Sequence, residues 1–475
     1  MVTHQLEDRY TESIVASALG SPAFRADHGV RLAYAAGSMY KGVASVSSVV
    51  RMGRAGLLSY LGAGGLQMDV LAASVDEIQR ALGPAGPYGV NLLAAPGDPA
   101  RERRIVDFLL DRAVPRVEAA AYVQLSPELV RYRLAGVRRT PDGRVVTRNH
   151  VLAKVSRPEV ALQFLSPAPG DMVDALVRAG DVSAEAAALA ARLPVADDLC
   201  AEADSGGHTD QRQSSTLVPD MVRLAQRARA EHGYDHQVRV GAAGGLGTPE
   251  SIAAAFILGA DFVLTGSINQ CTVESGTSDE VKDLLAAAEI QDTAIVPAGD
   301  MFEVGAKVQV LRKGLLFPGR AAKLYDLYRQ HDRLEDLDVR SAQQVERFFG
   351  RSFAQVWDET REYYSRHRPA DITRAEQVPK FRMALIFKWY FVQATRYAMQ
   401  GNADRRVDYQ IQCGPAMGAF NRYVRGTDLE PWRNRHVDEI GERLMNGAAE
   451  VLSARMSGLL AASRLATRAT EGTLP

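Results

Sequence analysis

A histidine on a glycine turn just past an apolar run can give or take a proton near neutral pH. His208 is such a group, closing the stretch Ala201-Glu202-Ala203-Asp204-Ser205-Gly206-Gly207-His208. Gly206 and Gly207 allow a ring or a substrate to come close, and Glu202 is an acid at the end of the run. Three other run ends carry matching chemistry. Ala36-Gly37-Ser38-Met39 offers small residues against which a flat ring can lie. Asn91, closing Gly89-Val90-Asn91, has an amide that both donates and accepts, as the edge of a flavin requires. Lys154 stands in an otherwise apolar run, where a cation would stabilise negative charge on the N1 side of a reduced flavin. On its own a loop histidine is solvated and such a lysine snorkels. Together these run ends favour a catalytic His208.

The longest informative stretch runs from Val238 to Gly276 and reads strand, glycine turn, helix, strand, glycine turn. Gly244, Gly245 and Gly247 follow Val238–Ala242, and Thr248-Pro249-Glu250 opens a helix with a capping Thr and a first-turn Pro. Phe262–Thr265 is the next strand, stopped by Gly266-Ser267. Two parallel strands that each end in a glycine turn expose two sets of backbone N–H groups, a means of holding a phosphate at the top of a barrel. Close helix packing is the plain structural alternative for either turn. The spacing is not GxGxxG and lies past the midpoint of the chain, which favours a flavin-type phosphate site over a Rossmann site.

These residues need a frame that brings run ends together. Short apolar runs separated by helix-length segments occur at Arg31–Ala36, Leu57–Leu61, Tyr88–Leu93, Val117–Tyr122, Val151–Val155, Leu199–Ala203, Val238–Ala242 and Phe262–Thr265. Eight such units predict an α/β fold, a closed (β/α)8 TIM barrel over residues 31–300, with an open doubly wound sheet as the alternative. Residues 1–30 are polar and are expected to be irregular. Two insertions break the rhythm. Near 126–150, Ser126-Pro127-Glu128 caps a short helix and a hairpin turns at Pro141-Asp142-Gly143; near 170–193 lies an Ala-rich helical pair. Residues 301–475 show helical patterning without strand alternation and predict a C-terminal helical domain. Met383–Val392 and Tyr409–Met417 are expected to pack its core.

Composition narrows the classes. The 475 residues are 46% hydrophobic and 24% charged, as in soluble globular proteins, and they suit a barrel plus a second region. Asp261 and Lys388 interrupt the longest apolar runs, so no membrane span is expected. The start MVTHQLEDRY lacks a basic segment followed by an apolar one, so no secretory signal is expected. Cys200, Cys271 and Cys413 have neither metal nor disulfide spacing, which predicts a cytoplasmic setting and no metal; Cys271 is expected to be a small buried thiol. Residues 301–475 carry 28 Lys+Arg against 21 Asp+Glu, a net of +7, while residues 1–300 carry 28 against 36. A basic face of this kind suits an acidic partner, but aromatics are not interleaved with dense basic runs, so nucleic acid is excluded as that partner.

GAAGGLGTPESIAAAFILGADFVLTGSINQCTVESGTS, AEADSGGHTD, YGVNLL and DYQIQCGPAMGAFN together resemble the PfaD-type trans-acting enoyl reductases of bacterial polyketide and polyunsaturated-fatty-acid synthases, over nearly the whole chain. The barrel part is also similar to flavin-dependent enoyl-carrier-protein reductases and nitronate monooxygenases. The resemblance implies an FMN-dependent barrel that takes a hydride from NADPH or NADH and reduces an α,β-unsaturated acyl thioester on an acyl carrier protein. It implies that Gly244, Gly245, Gly266 and Ser267 hold the FMN phosphate. Ala36, Gly37, Ser38, Asn91, Lys154, Glu202, Gly206 and Gly207 would lie around the ring, with His208 at the position of the family's catalytic histidine. The implied partners are the carrier protein and its acyl thioester, with a homodimer allowed. Two rivals remain: a nitronate monooxygenase, in which His208 deprotonates a small nitroalkane, and a non-catalytic docking component of a synthase.

Overall fold

A computed structural model describes residues 13–208 and 210–471. The irregular start expected for residues 1–30 therefore lies outside the described residues as far as residue 12. In chain order the strands are β1 (Tyr34–Ala36), β2 (Leu58–Leu61), β3 (Tyr88–Leu93), β4 (Arg116–Ala120), β5 (Arg138–Arg139), β6 (Val145–Val146), β7 (His150–Val155) and β8 (Asp198–Glu202). Then come β9 (Gly207–His208), β10 (Arg239–Ala243), β11 (Phe262–Thr265), β12 (Thr293–Pro297) and β13 (Lys307–Leu311). Strands β1, β11, β10, β8, β7, β4, β3 and β2 close into a barrel, every neighbouring pair parallel. Each is an apolar run because both faces of a parallel barrel strand are covered. The runs read from the sequence are these eight strands, displaced by up to three residues at their ends. The predicted hairpin is β5 paired with β6, and the helical pair is Gly170–Arg178 and Ala184–Ala190.

The chain divides into two compact units. One takes in the barrel through Asp204, Asp210–Gly276 and the chain from Tyr423; the other is Ser205–Thr209 with Thr277–Arg422. The C-terminal helical region thus splits at Tyr423 rather than beginning as one body at residue 301. The reason lies in the last helix, Val437–Glu471. Its Val437, Ile440, Leu444, Met445 and Ala448 are buried, and Gly441 and Gly447 let it lie against Tyr34 of β1 and Pro249, with hypothetical Cβ contacts of 2.7 Å in each case. Arg51 pairs with its Asp438 (2.5 Å) and Glu439 (2.8 Å). The helix covers the barrel beside the helices Pro249–Ile257 and Val46–Arg54, the place the barrel's eighth helix would take.

Residues 13–30 are not irregular throughout: Pro22–His28 is a helix, capped by Ser21, whose side chain accepts from the Phe24 amide. Phe24 stacks on Phe262 of β11 (centroids 4.5 Å apart), and His28 is buried. His28 Nε2 donates to Asp198 Oδ2 (2.8 Å), and its Nδ1 accepts from Arg116 Nε (3.0 Å). Arg239 Nε in turn donates to Asp198 Oδ1 (2.6 Å). The starts of β4, β8 and β10 are therefore joined by charge at the N-terminal end of the barrel, the end that carries stability rather than chemistry in this architecture.

The second unit holds a small sheet as well as helices. β13 pairs antiparallel with β12 on one side and with β9 on the other. The expectation of no strands past residue 300 thus fails at Lys307-Val308-Gln309-Val310-Leu311, whose alternation is a strand pattern. Phe302, Phe317, Val345, Phe349, Phe387, Tyr390 and Phe391 form its core, with Pro379–Gln400 as the central helix. Within that helix Lys388 pairs with Glu303 (2.8 Å). No helix among the described residues is long and apolar enough to cross a membrane.

Candidate active site

A barrel presents to solvent the side chains at the C-terminal ends of its strands. The centre of the group found there is Glu118 of β4, which is fully buried. Its carboxylate accepts from the Ser38 amide (2.9 Å) and from Ser38 Oγ (2.7 Å), just past β1. Its backbone carbonyl accepts from Asn91 Nδ2 of β3 (3.1 Å). Lys154 Nζ of β7 lies 3.6 Å from Glu118 Oε1 and 3.3 Å from Glu202 Oε1 at the end of β8. Four of the residues expected around a ring (Ser38, Asn91, Lys154 and Glu202) are thus tied together through Glu118. Sequence reasoning passed over Glu118. The signal was present, since a carboxylate inside the buried strand Arg116-Val117-Glu118-Ala119-Ala120 requires partners.

The electrostatics of the group differ from those of a lone cation. Burial pulls the Lys154 ammonium towards the neutral form, but Glu202 and Glu118 outweigh it and hold its pKa above the ordinary lysine value. Lys154 is therefore charged, and its one positive charge faces two carboxylates. Cys200, beside it on β8, is buried, and burial first and Glu202 second push its thiol well above the ordinary range. It is an inert wall residue. Cys271, also buried, accepts from Arg435 Nη1 at 3.4 Å.

The glycine turns stand at neighbouring strand ends. β10 pairs with β11 as far as Ala243 with Leu264, and β1 pairs with β11 as far as Ala36 with Thr265. One step further along each strand lie Gly244-Gly245, Gly266-Ser267 and Gly37, the last donating its amide to the Thr265 carbonyl (2.9 Å). Gly244 (φ +86°) and Gly245 (φ +72°) are both left-handed. They differ in surroundings: a Cβ on Gly244 would lie 2.7 Å from the Ala203 carbonyl carbon, whereas one on Gly245 or Gly266 would meet open space. Backbone that faces open space at two adjacent strand ends, with Ser267 opening a 3-10 turn, fits the phosphate end of a flavin. A Cβ on Gly37 would strike Leu264 Cδ2 at 2.5 Å, so its absence serves packing inside the barrel.

Gly206, Gly207 and His208 belong to the second unit. β9 holds them in register against β13, with His208 opposite Val308 and Gly207 opposite Gln309. A Cβ on Gly206 would lie 2.9 Å from the backbone of Cys413, and one on Gly414 would lie 2.8 Å from the Gly206 amide nitrogen. Tyr409–Met417 is thus more than core packing, because its Cys413-Gly414 backs the turn that carries the histidine. His208 Nε2 is 2.9 Å from Asp300 Oδ2.

The nitronate monooxygenase family profile matches residues 35–325, and the profile of the helical domain inserted in [acyl-carrier-protein] S-malonyltransferase matches residues 331–409. The chain belongs to the nitronate monooxygenase family. Within it the chain falls with the PfaD-type enoyl reductases, as three relatives indicate. The enoyl reductase domain of MlnA, from the macrolactin cluster of Bacillus amyloliquefaciens, superposes with a TM-score of 0.90 at 41% identity, covering 93% of this chain and 99% of that domain. Polyketide biosynthesis protein PksE of Bacillus subtilis is 48% identical over 96% of this chain and 59% of its own length. A polyunsaturated fatty acid synthase component of a Thraustochytrium species is 46% identical over 87% of this chain and 28% of its own length. The chain thus spans a little over half of PksE and about a quarter of the synthase component. FabK of Thermotoga maritima, at 19% identity and a TM-score of 0.54, shares the fold.

Proposed function

We propose that the chain is an FMN-dependent enoyl reductase that acts in trans on α,β-unsaturated acyl thioesters carried by the acyl carrier protein of a polyketide or polyunsaturated-fatty-acid synthase, with NADPH or NADH as hydride donor. The observation that carries the reading is the mouth of the barrel, where glycine turns facing open space adjoin a charged lysine and a ring of small and amide residues. The likeness to the MlnA domain supports the same reaction class. Gly244, Gly245, Gly266 and Ser267 would hold the phosphate, and Ala36, Gly37, Ser38 and Asn91 the edge of the ring. Bound there, a flavin supplies the hydride that the β-carbon of the thioester receives. Lys154, balanced by Glu118 and Glu202, presents a cation beside the ring while leaving the mouth without excess positive charge. His208, or water, would give the proton that the α-carbon takes up. The carrier protein is acidic, and residues 301–422 hold 21 Lys+Arg against 14 Asp+Glu. Over the whole second unit the balance is 22 against 20, so steering by net charge is weak and docking depends on local pairs.

The test is an anaerobic stopped-flow experiment in the visible flavin band. Purified protein is expected to be yellow, to bleach with NADPH and to regain colour on mixing with a crotonyl thioester of the carrier protein. Return of colour with oxygen alone would move the monooxygenase reading ahead, and a colourless protein that takes up no FMN would sink both.

A further inference from the structure

We infer that Asp300 is the positioning residue of His208, fixing which imidazole nitrogen exchanges the proton. Asp300 lies in the connection between β12 and β13, and β13 is the strand that holds His208 in register. Its two carboxylate oxygens have separate tasks. Oδ1 accepts from the Met301 amide (3.0 Å), which fixes the carboxylate in its own turn, and Oδ2 meets His208 Nε2 at 2.9 Å. The connection is anchored on either side of Asp300. Phe302 is fully buried among Tyr325, Tyr328 and Phe391, and Gly299 passes so close to Phe391 that a Cβ would lie 2.4 Å away. The backing of Gly206 by Cys413-Gly414 fixes the histidine's own turn from the other side. Histidine and carboxylate are therefore each held by backbone, and their contact follows from two rigid presentations.

The chemical consequence is an atom assignment. A carboxylate takes only a donor, so Nε2 keeps its hydrogen in both charge states and Nδ1 is the nitrogen that gains and loses a proton. When the imidazolium donates from Nδ1 to an α-carbon, the ring is left as the neutral Nε2–H form already bonded to Asp300, and no rotation is required. Asp300 also stabilises the imidazolium and makes Nδ1 more basic. The nearby charged groups of the same connection are otherwise placed: Glu303 is paired with Lys388 (2.8 Å), and Lys307 is exposed on β13. The pair is partly in water, with side-chain exposures of 40% and 68%, so it adds little to stability and its value lies in orientation. The catalytic use of Nδ1 rests on the reductase reading above, but the placement does not.

The experiment is a pH titration of the full chain with 13C-labelled histidine, the His208 signal being assigned by its loss in His208→Gln. The neutral wild-type ring is expected to be the Nε2–H tautomer. In Asp300→Asn its pKa is expected to fall by roughly half a unit to one unit, with mixing of tautomers, and in Asp300→Glu both return towards wild type. The alkaline limb of kcat/KM, along which the proton-donating imidazolium is lost, should shift by the same amount. An unchanged His208 titration and tautomer in Asp300→Asn overturns the inference. A ring that shifts while the rate profile stays put supports the placement and sinks the catalytic role of His208, so the two failures are separable.

Discussion

Lys154 shows what one residue gains from its neighbours. A cation in a barrel mouth is costly to bury alone, and two carboxylates facing each other are costlier still, yet the three together are stable because each answers the others. The sequence shows the lysine but not that Glu118 and Glu202 flank it. Lys154→Met is therefore expected to do more than remove a charge. It leaves the fully buried Glu118 and the nearby Glu202 uncompensated, with a loss of stability of about 3 kcal/mol and weaker FMN binding, because negative charge then faces the cofactor. Adding Glu118→Gln should recover part of both, with a coupling of roughly 1–3 kcal/mol in a double-mutant cycle read by urea unfolding and by flavin titration. Strictly additive effects would mean that the lysine and Glu118 act independently.

At the scale of elements, the two glycines of the turn after β10 differ in what surrounds them. Gly244→Ala meets both a left-handed backbone and the Ala203 carbonyl carbon at 2.7 Å, and is expected to cost stability by about 1–3 kcal/mol. Gly245→Ala meets only the backbone strain, because its Cβ enters open space. It should cost about 1 kcal/mol of stability but weaken FMN binding at least as much as Gly244→Ala, measured by fluorescence titration. Unaltered FMN affinity in Gly245→Ala would remove this turn from the phosphate site. The glycine turns, the eight strands, the hairpin and the helical pair were legible because periodicity, glycine and capping residues are local signals. What escaped was decided by tertiary partners. β12 and β13 follow a count of eight already complete, and Val308 and Val310 of β13 join the buried cluster that holds Phe302 and Phe317. The helix at Pro22 hides in a polar segment, and of its own residues just two, Phe24 and His28, are buried. Glu118 looks like an intruder in its strand until Ser38 and Lys154 stand beside it. The last helix looks like part of the helical domain, and only the uncovered flank of the barrel explains why it returns there.

For the molecule as a whole, acid stability should be set at the end of the barrel opposite the candidate site. His28 accepts at Nδ1 from Arg116 and donates at Nε2 to Asp198, so its neutral form is the one that fits, and burial above all, with Arg116 and Arg239 assisting, lowers its pKa from the ordinary value despite Asp198. Burial pushes the Asp198 carboxyl up, but Arg239 and His28 outweigh it and hold it at about 2. The signs run the same way. Above about pH 6.5, the unfolded value for histidine, His28 is neutral in both states and its contribution is complete; as the pH falls below that, only the unfolded chain takes the proton and stability declines. Asp198 adds a second decline from about pH 4 towards 2, where the unfolded carboxyl is protonated first. In His28→Gln the amide can donate to Asp198 and accept from Arg116 without titrating. Urea unfolding of wild type and variant, compared from pH 7.5 to 5, should therefore give a difference that narrows as the pH falls, by up to about 1.4 kcal/mol per pH unit below 6.5. The second decline should persist in both proteins. A difference that stays constant through pH 5 would show that His28 protonates freely in the folded barrel, and the charge network at the strand starts would then be no barrier to acid.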